Sequence, residues 1–118
     1  MKLEGKGKLL RVFIGESDRS LHQPLFEAII HLAKERGLAG CTIVRGTAGY
    51  GPNSRVIHTA KILRLSEDLP IVVEIVDADA TIKAFLPEVE RLIQDSHSGA
   101  LITLEDVEVI RYAPTSKR

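Results

Sequence analysis

The sequence predicts an α+β domain built on a split β-α-β plan. Two observations carry that reading. Four apolar runs, rich in β-branched residues and bounded by Gly, Pro and polar clusters, have the length and composition of strands. Between them lie two stretches whose apolar residues recur at helical spacing. The resulting order is strand, helix, strand, loop, strand, helix, strand. Each helix then links two strands that can run parallel, by right-handed crossovers.

The first strand is Leu9 to Gly15, with more apolar residues than a strand open to water on one face would carry. Glu16 to Ser20 form a polar turn. Ser20-Leu21-His22-Gln23 fits the S-x-x-Q capping box that opens a helix, and Pro24 falls in its first turn. That helix runs to about Arg36, with Leu25, Phe26, Ile29, Ile30 and Ala33 on one stripe and Gly37 placed to stop it. Cys41 to Thr47 form the second strand. Residues 55–65 fit a helical turn or an extended coil, with Arg55, His58, Lys61 and Arg64 at every third position. Ser66 to Pro70 break the chain, and Ile71 to Val76 are the most β-like run in it. Asp77 or Asp79 is expected to cap the second helix. Its apolar face is Ile82, Phe85, Leu86, Val89, Leu92 and Ile93, with a kink expected at Pro87. Ser96 to Gly99 close it. Leu101 to Leu104 and Val107 to Tyr112 are the last extended segments.

This is the ferredoxin-like βαββαβ arrangement. Both helices cover one sheet face. The other face is left with apolar residues and is expected to be covered by a second subunit. The 118 residues read as one domain, 1–118, with a core over 8–112 and short frayed ends.

Composition narrows the function. Sixteen basic and sixteen acidic residues cancel, so no net field draws the chain to nucleic acid or anionic lipid. Three Phe, two Tyr and no Trp offer no stacking platform for single-stranded bases. One cysteine cannot form an internal disulfide, and Cys41 reads as a small core residue. No apolar run approaches the roughly 20 residues of a membrane span, and the N-terminus lacks an apolar signal core. A cytoplasmic protein without membrane insertion is expected.

The most telling local feature is Gly46-Thr47-Ala48-Gly49-Tyr50-Gly51-Pro52-Asn53-Ser54-Arg55. Its glycines free the backbone and let N–H groups converge on an anion. Arg45 and Arg55 flank it with charge. The order G-x-x-G-x-G is neither the dinucleotide fingerprint nor a P-loop, and a plain turn is the competing reading. The histidines His22, His31, His58 and His97 show no metal spacing. His22 and His31 read as surface helix residues, and His58 shares the basic stripe, which a solvated charged face also explains. Glu74 stands inside an apolar strand, either as an outward edge residue or as an acceptor for a bound N–H. No nucleophile, base and oxyanion set assembles, which argues against an enzyme.

Several of these segments resemble the PII signalling proteins. Gly37-Leu38-Ala39-Gly40-Cys41-Thr42-Ile43-Val44 followed by Gly49-Tyr50-Gly51 is similar to their G-x-x-G-x-T-V…G-x-G segment, and Leu69 to Val76 to their L-P-x-V-x-I-E-I-V strand. Gly99 and Val107 to Arg111 resemble their closing hairpin. Uncharacterised PII-like relatives match more closely: R-G-x-x-G-[YF]-G stands as Arg45 to Gly51, and H-x-x-x-[LI]-x-x-L-S-x-D-L-P-[IV]-V-[IV]-E-[IV]-V-D as His58 to Asp77. The likeness spans Leu9 to Tyr112.

The resemblance implies a homotrimer with its sheets facing inward and an adenine nucleotide in clefts between subunits. It places Thr42, Glu74 and Val76 near the adenine, Gly49 and Gly51 near the phosphates, and Arg111 on phosphate. The family's second glycine-rich loop and its lysine are reduced here to Gly99, and the second arginine of the closing strand is Ala113. Either Arg45, Arg55 and His58 compensate, or the ligand is AMP or ADP in place of ATP. The expected function is a non-enzymatic sensor that presents segment 46–64 to a partner protein, such as a membrane transporter or an enzyme. The alternatives are a trimeric module for a metal or small anion, with His58 and either Asp77 or another subunit's carboxylate as ligands, and an enzyme acting on a phosphorylated metabolite. The leading reading requires no metal.

Overall fold

The computed structural model describes residues 3–52 and 68–115. The elements in chain order are β1 (Gly5–Gly15), β2 (Arg19–Ser20), β3 (Gln23–Pro24), α1 (Leu25–Glu35), β4 (Thr42–Arg45), β5 (Pro70–Asp77), α2 (Asp79–Ser96) and β6 (Leu101–Val109). The four longer strands form one sheet in the order β4-β5-β1-β6, and every neighbouring pair is antiparallel. β1 and β4 therefore run parallel with β5 between them, and β5 and β6 run parallel with β1 between them. This is the split β-α-β plan, and the small β2–β3 hairpin stands apart from the sheet.

Alternation along the central strands divides the sheet into two faces. Leu10, Val12 and Ile14 of β1 and Ile71, Val73 and Ile75 of β5 pack with Leu25, Ile29, Ala33, Ile82, Phe85, Val89 and Ile93 of the two helices in one buried core. Among the described residues, no helix lies on the opposite face. Register sets Val44, Val72, Phe13 and Leu101 in one row across it, Thr42, Glu74, Arg11 and Thr103 in the next, and Val76, Leu9 and Glu105 in a third.

Gly37 ends α1 as expected. Its φ is +78°, and the N–H groups of Gly37 and Leu38 donate to the carbonyls of Lys34 and Ala33, the paired bonds of a Schellman motif. Arg36 at this end donates to Glu88 of α2 at 2.7–3.1 Å, fixing the helices against each other.

Four expectations need correction. Ser20 and Gln23 do not form a capping box: they pair as the β2–β3 hairpin, α1 begins at Leu25 after Pro24, and no side chain caps it. A residue before proline is pushed out of the α region, so Gln23 could not take its place in a helical first turn. His22 accordingly lies in the hairpin and not on the helix. Neither Asp77 nor Asp79 caps α2; its N-cap is Ala78, whose own side chain makes no capping bond. Asp77 continues the buried series of β5 and points into the fold. The second strand is shorter than expected, Thr42–Arg45: Cys41 precedes it, and Gly46 and Thr47 follow it outside the ladder. Finally, the closing segment is one strand, Leu101–Val109, and 110–112 lie beyond it. Pro87 falls within α2, which continues through it to Ser96.

Candidate functional site

Four of the residues singled out in the sequence meet in one cleft. Thr42 at the start of β4, Glu74 and Val76 at the end of β5, and Arg111 beyond β6 line a depression of about 320 Å³ together with Leu9, Cys41 and Tyr112. The fold brings them together because Thr42 pairs with Glu74 and Leu9 with Val76 in the sheet register. The floor is aliphatic, one end carries a hydroxyl and a carboxylate, and Arg111 supplies a cation.

Glu74 is neither an edge residue nor an acceptor left open for a ligand alone. It sits on a central strand, half-exposed, and Arg11 Nε donates to its Oε2 at 3.0 Å. The same guanidinium donates from Nη1 to Glu105 at 2.7 Å, and Glu74 is the first cause holding the Arg11 pKa above its ordinary value. Arg11 was not legible as a site residue, because its partner is identified only by the β1–β5 register. Cys41 is half-buried in the cleft, and burial pushes its thiol up to about 11. A thiol so protonated is a poor nucleophile at neutral pH, in keeping with a packing role.

The back wall of the cleft is held by a buried carboxylate. Asp77, at 0% exposure, accepts from Ala39 N at 2.8 Å and from Ala78 N at 2.7 Å. Both its oxygens are thus engaged, which removes it as a ready metal ligand for the His58–Asp77 alternative. Among the described residues, no group of three His, Cys, Asp or Glu side chains could hold a metal ion.

Gly49 and Gly51 lie elsewhere. They line a smaller cavity of about 80 Å³ with Tyr50, Pro70 and Gly99, at the Pro70 end of β5. The chain reaches it from Arg45 through Gly46, whose N–H donates to the Pro70 carbonyl at 2.7 Å, and Gly49 has a φ of +142° that favours glycine. Arg45 Nη2 stands 2.6 Å from Glu16 Oε2. At about 3.3 Å per strand residue, the Pro70 end of β5 is roughly 13 Å from Glu74 and roughly 20 Å from Val76. Arg55 and His58 lie outside the described residues.

The family model DUF190, described as an uncharacterized ACR, matches residues 7–109. The chain is a member of the DUF190 family. A curated relative, a UPF0166 protein of Aquifex aeolicus, is 47% identical over 105 residues, covering 89% of this chain and 94% of that one. Among solved structures, the nitrogen regulatory PII-like protein CPII from Thiomonas intermedia K12, bound to ADP, AMP and bicarbonate, has a TM-score of 0.66 at 17% identity, covering 93% of this chain and 92% of its own. A putative PII-like signaling protein from Thermus thermophilus has a TM-score of 0.58 at 22% identity, covering 93% and 94%. At these identities the likeness is one of fold: this DUF190 protein has the PII-like fold. No helix among its described residues is long and apolar enough to cross a membrane.

Proposed function

We propose that this DUF190 protein is a PII-like sensor that binds an adenine nucleotide between the subunits of a homotrimer. The observation that carries the reading is the convergence of Thr42, Glu74, Val76 and Arg111 in one cleft. Its parts suit the chemistry of a nucleotide. Leu9 and Val76 offer apolar surface to a base, Thr42 and Glu74 offer polar atoms to its edge or to a ribose, and Arg111 offers charge to phosphate. The fold shared with CPII, whose structure holds ADP and AMP, supports the choice of ligand.

The separation of the two cavities supports the trimer. Within one chain, Gly49 and Gly51 line a different cavity from the one lined by Glu74 and Arg111. A neighbouring subunit can bring its own glycine loop to that cleft. The apolar row Val44, Val72, Phe13 and Leu101 supplies the surface that would bring the copies together. Segment 46–64, which includes Arg55 and His58, is then the part whose order a bound nucleotide would change and a partner protein would read. The cleft's lining includes one cation among the described residues, which favours AMP or ADP over ATP. The protein acts by binding and not by turnover.

Calorimetry with AMP, ADP and ATP, on protein whose mass is set by light scattering, tests this. The expected result is a trimer with up to one site per chain, weakened about tenfold or more in Arg111→Ala through loss of a charge-assisted bond. Absence of heat with all three nucleotides overturns the reading, and hydrolysis of a bound nucleotide replaces the sensor with an enzyme.

A further inference from the structure

Tyr112 stands in the same cleft with no role assigned by the sequence reading. β6 ends at Val109, and the chain then runs irregularly past the cleft mouth. Tyr112 is held there at two points. Its backbone N–H donates to Glu4 Oε2 at 3.1 Å, and its hydroxyl donates to the Ala39 carbonyl at 3.4 Å. Ala39 is itself tied to the buried Asp77 carboxylate. The phenol is therefore tethered at its polar tip while the residue stays 39% exposed.

Leu9 and Val76, cross-strand neighbours in the sheet, line the same cleft as Tyr112. An aromatic ring and two aliphatic side chains in one depression offer apolar surface to a flat, apolar-faced group. Next to it in sequence is Arg111, the cation of the cleft. The chain has five aromatic residues, three Phe and two Tyr, and Tyr112 is the aromatic that lines this cleft.

We propose that Tyr112 is the base-stacking wall of the site: its ring covers one face of the purine while its hydroxyl stays bonded to Ala39. The inference rests on the nucleotide reading above and names the residue that gives that site its preference for a base over a bare phosphate. Stacking of a base on an aromatic side chain is lost on truncation at a cost that corresponds to about tenfold or more in affinity.

The test separates stacking from a merely structural pin. Tyr112→Phe keeps the ring and loses the Ala39 bond; Tyr112→Leu keeps apolar bulk and loses the ring. Stacking predicts AMP binding within about twofold of the parent for Phe and about tenfold weaker for Leu. Equal losses in the two variants overturn it, because a pin fails whenever its hydroxyl is gone. A second readout needs no change at Tyr112. The chain has no Trp, so in Tyr50→Phe protein Tyr112 is the only tyrosine and, without Trp, dominates the emission. Titration with AMP is expected to quench it in step with the calorimetric heat, and ribose 5-phosphate is expected to leave it unchanged. Heat from AMP with unaltered emission overturns the stacking role and leaves the nucleotide reading standing. No heat from any adenine nucleotide overturns both.

Discussion

A fully buried carboxylate needs donors, and Asp77 has two backbone N–H groups, from Ala39 and Ala78. One side chain thereby joins the turn after α1 to the start of α2 and sets the back wall of the cleft. Asp77→Ala leaves both donors without their acceptor and is expected to destabilise the chain by about 2–4 kcal/mol. Asp77→Asn keeps one acceptor oxygen and is expected to cost less. Urea unfolding monitored by circular dichroism checks the order, with a lower midpoint and an unchanged slope. The position of this side chain was legible in the sequence, since Ile71, Val73, Ile75 and Asp77 share one face of a strand. An Asp just before a helix also matches an N-cap, a local signature that competes with that alternation. Arg11 and Tyr112 were not legible in the same way: what each touches depends on strand register and on where the chain goes after β6.

At the scale of elements, the strands and helices followed from apolar spacing because the core selects for it. Local motifs were less reliable where two structures share one signature. Ser20 and Gln23 satisfy a capping box and a tight hairpin equally, and Pro24 decides for the hairpin through the conformation it imposes on Gln23. The helices also depend on a link that spacing does not reveal. Arg36 holds Glu88 through three hydrogen bonds and lowers its pKa below the ordinary carboxylate value. The sign of its pH dependence follows. A carboxyl whose folded pKa is depressed contributes stability above its unfolded value, near 4.3, and loses it as pH falls through the folded value. Glu88→Gln is therefore expected to be less stable than the parent at pH 6 and to converge with it as the pH falls below about 4. Urea midpoints measured from pH 6 to pH 3 give the comparison.

At the scale of the molecule, the described helices cover one side of the sheet. Leu101 is 51% exposed and Val44 44% exposed, on a row that continues through Val72 and Phe13. Contiguous apolar surface of this kind marks an interaction site. In the proposed trimer this face is interior. Phe13→Lys would place a charge in it without touching the helix-packed core on the opposite side. The expected outcome is a monomer by light scattering with helical circular dichroism retained, and loss of nucleotide binding at the same time. A trimer that survives the substitution would show that the copies meet elsewhere. The sequence carried the apolar character of this face, but not the Arg11–Glu74–Glu105 cluster within it, which exists only once three strands are in register.

Cys41 gives the cleft one more property. The chain holds no other sulfhydryl, and this one keeps its proton at neutral pH because its surroundings disfavour the thiolate. An alkylating reagent would approach the sulfur through the space assigned to the nucleotide. Slow modification of a single atom, slowed further by whatever fills that space, would make the protein a reporter of its own occupancy without any label added.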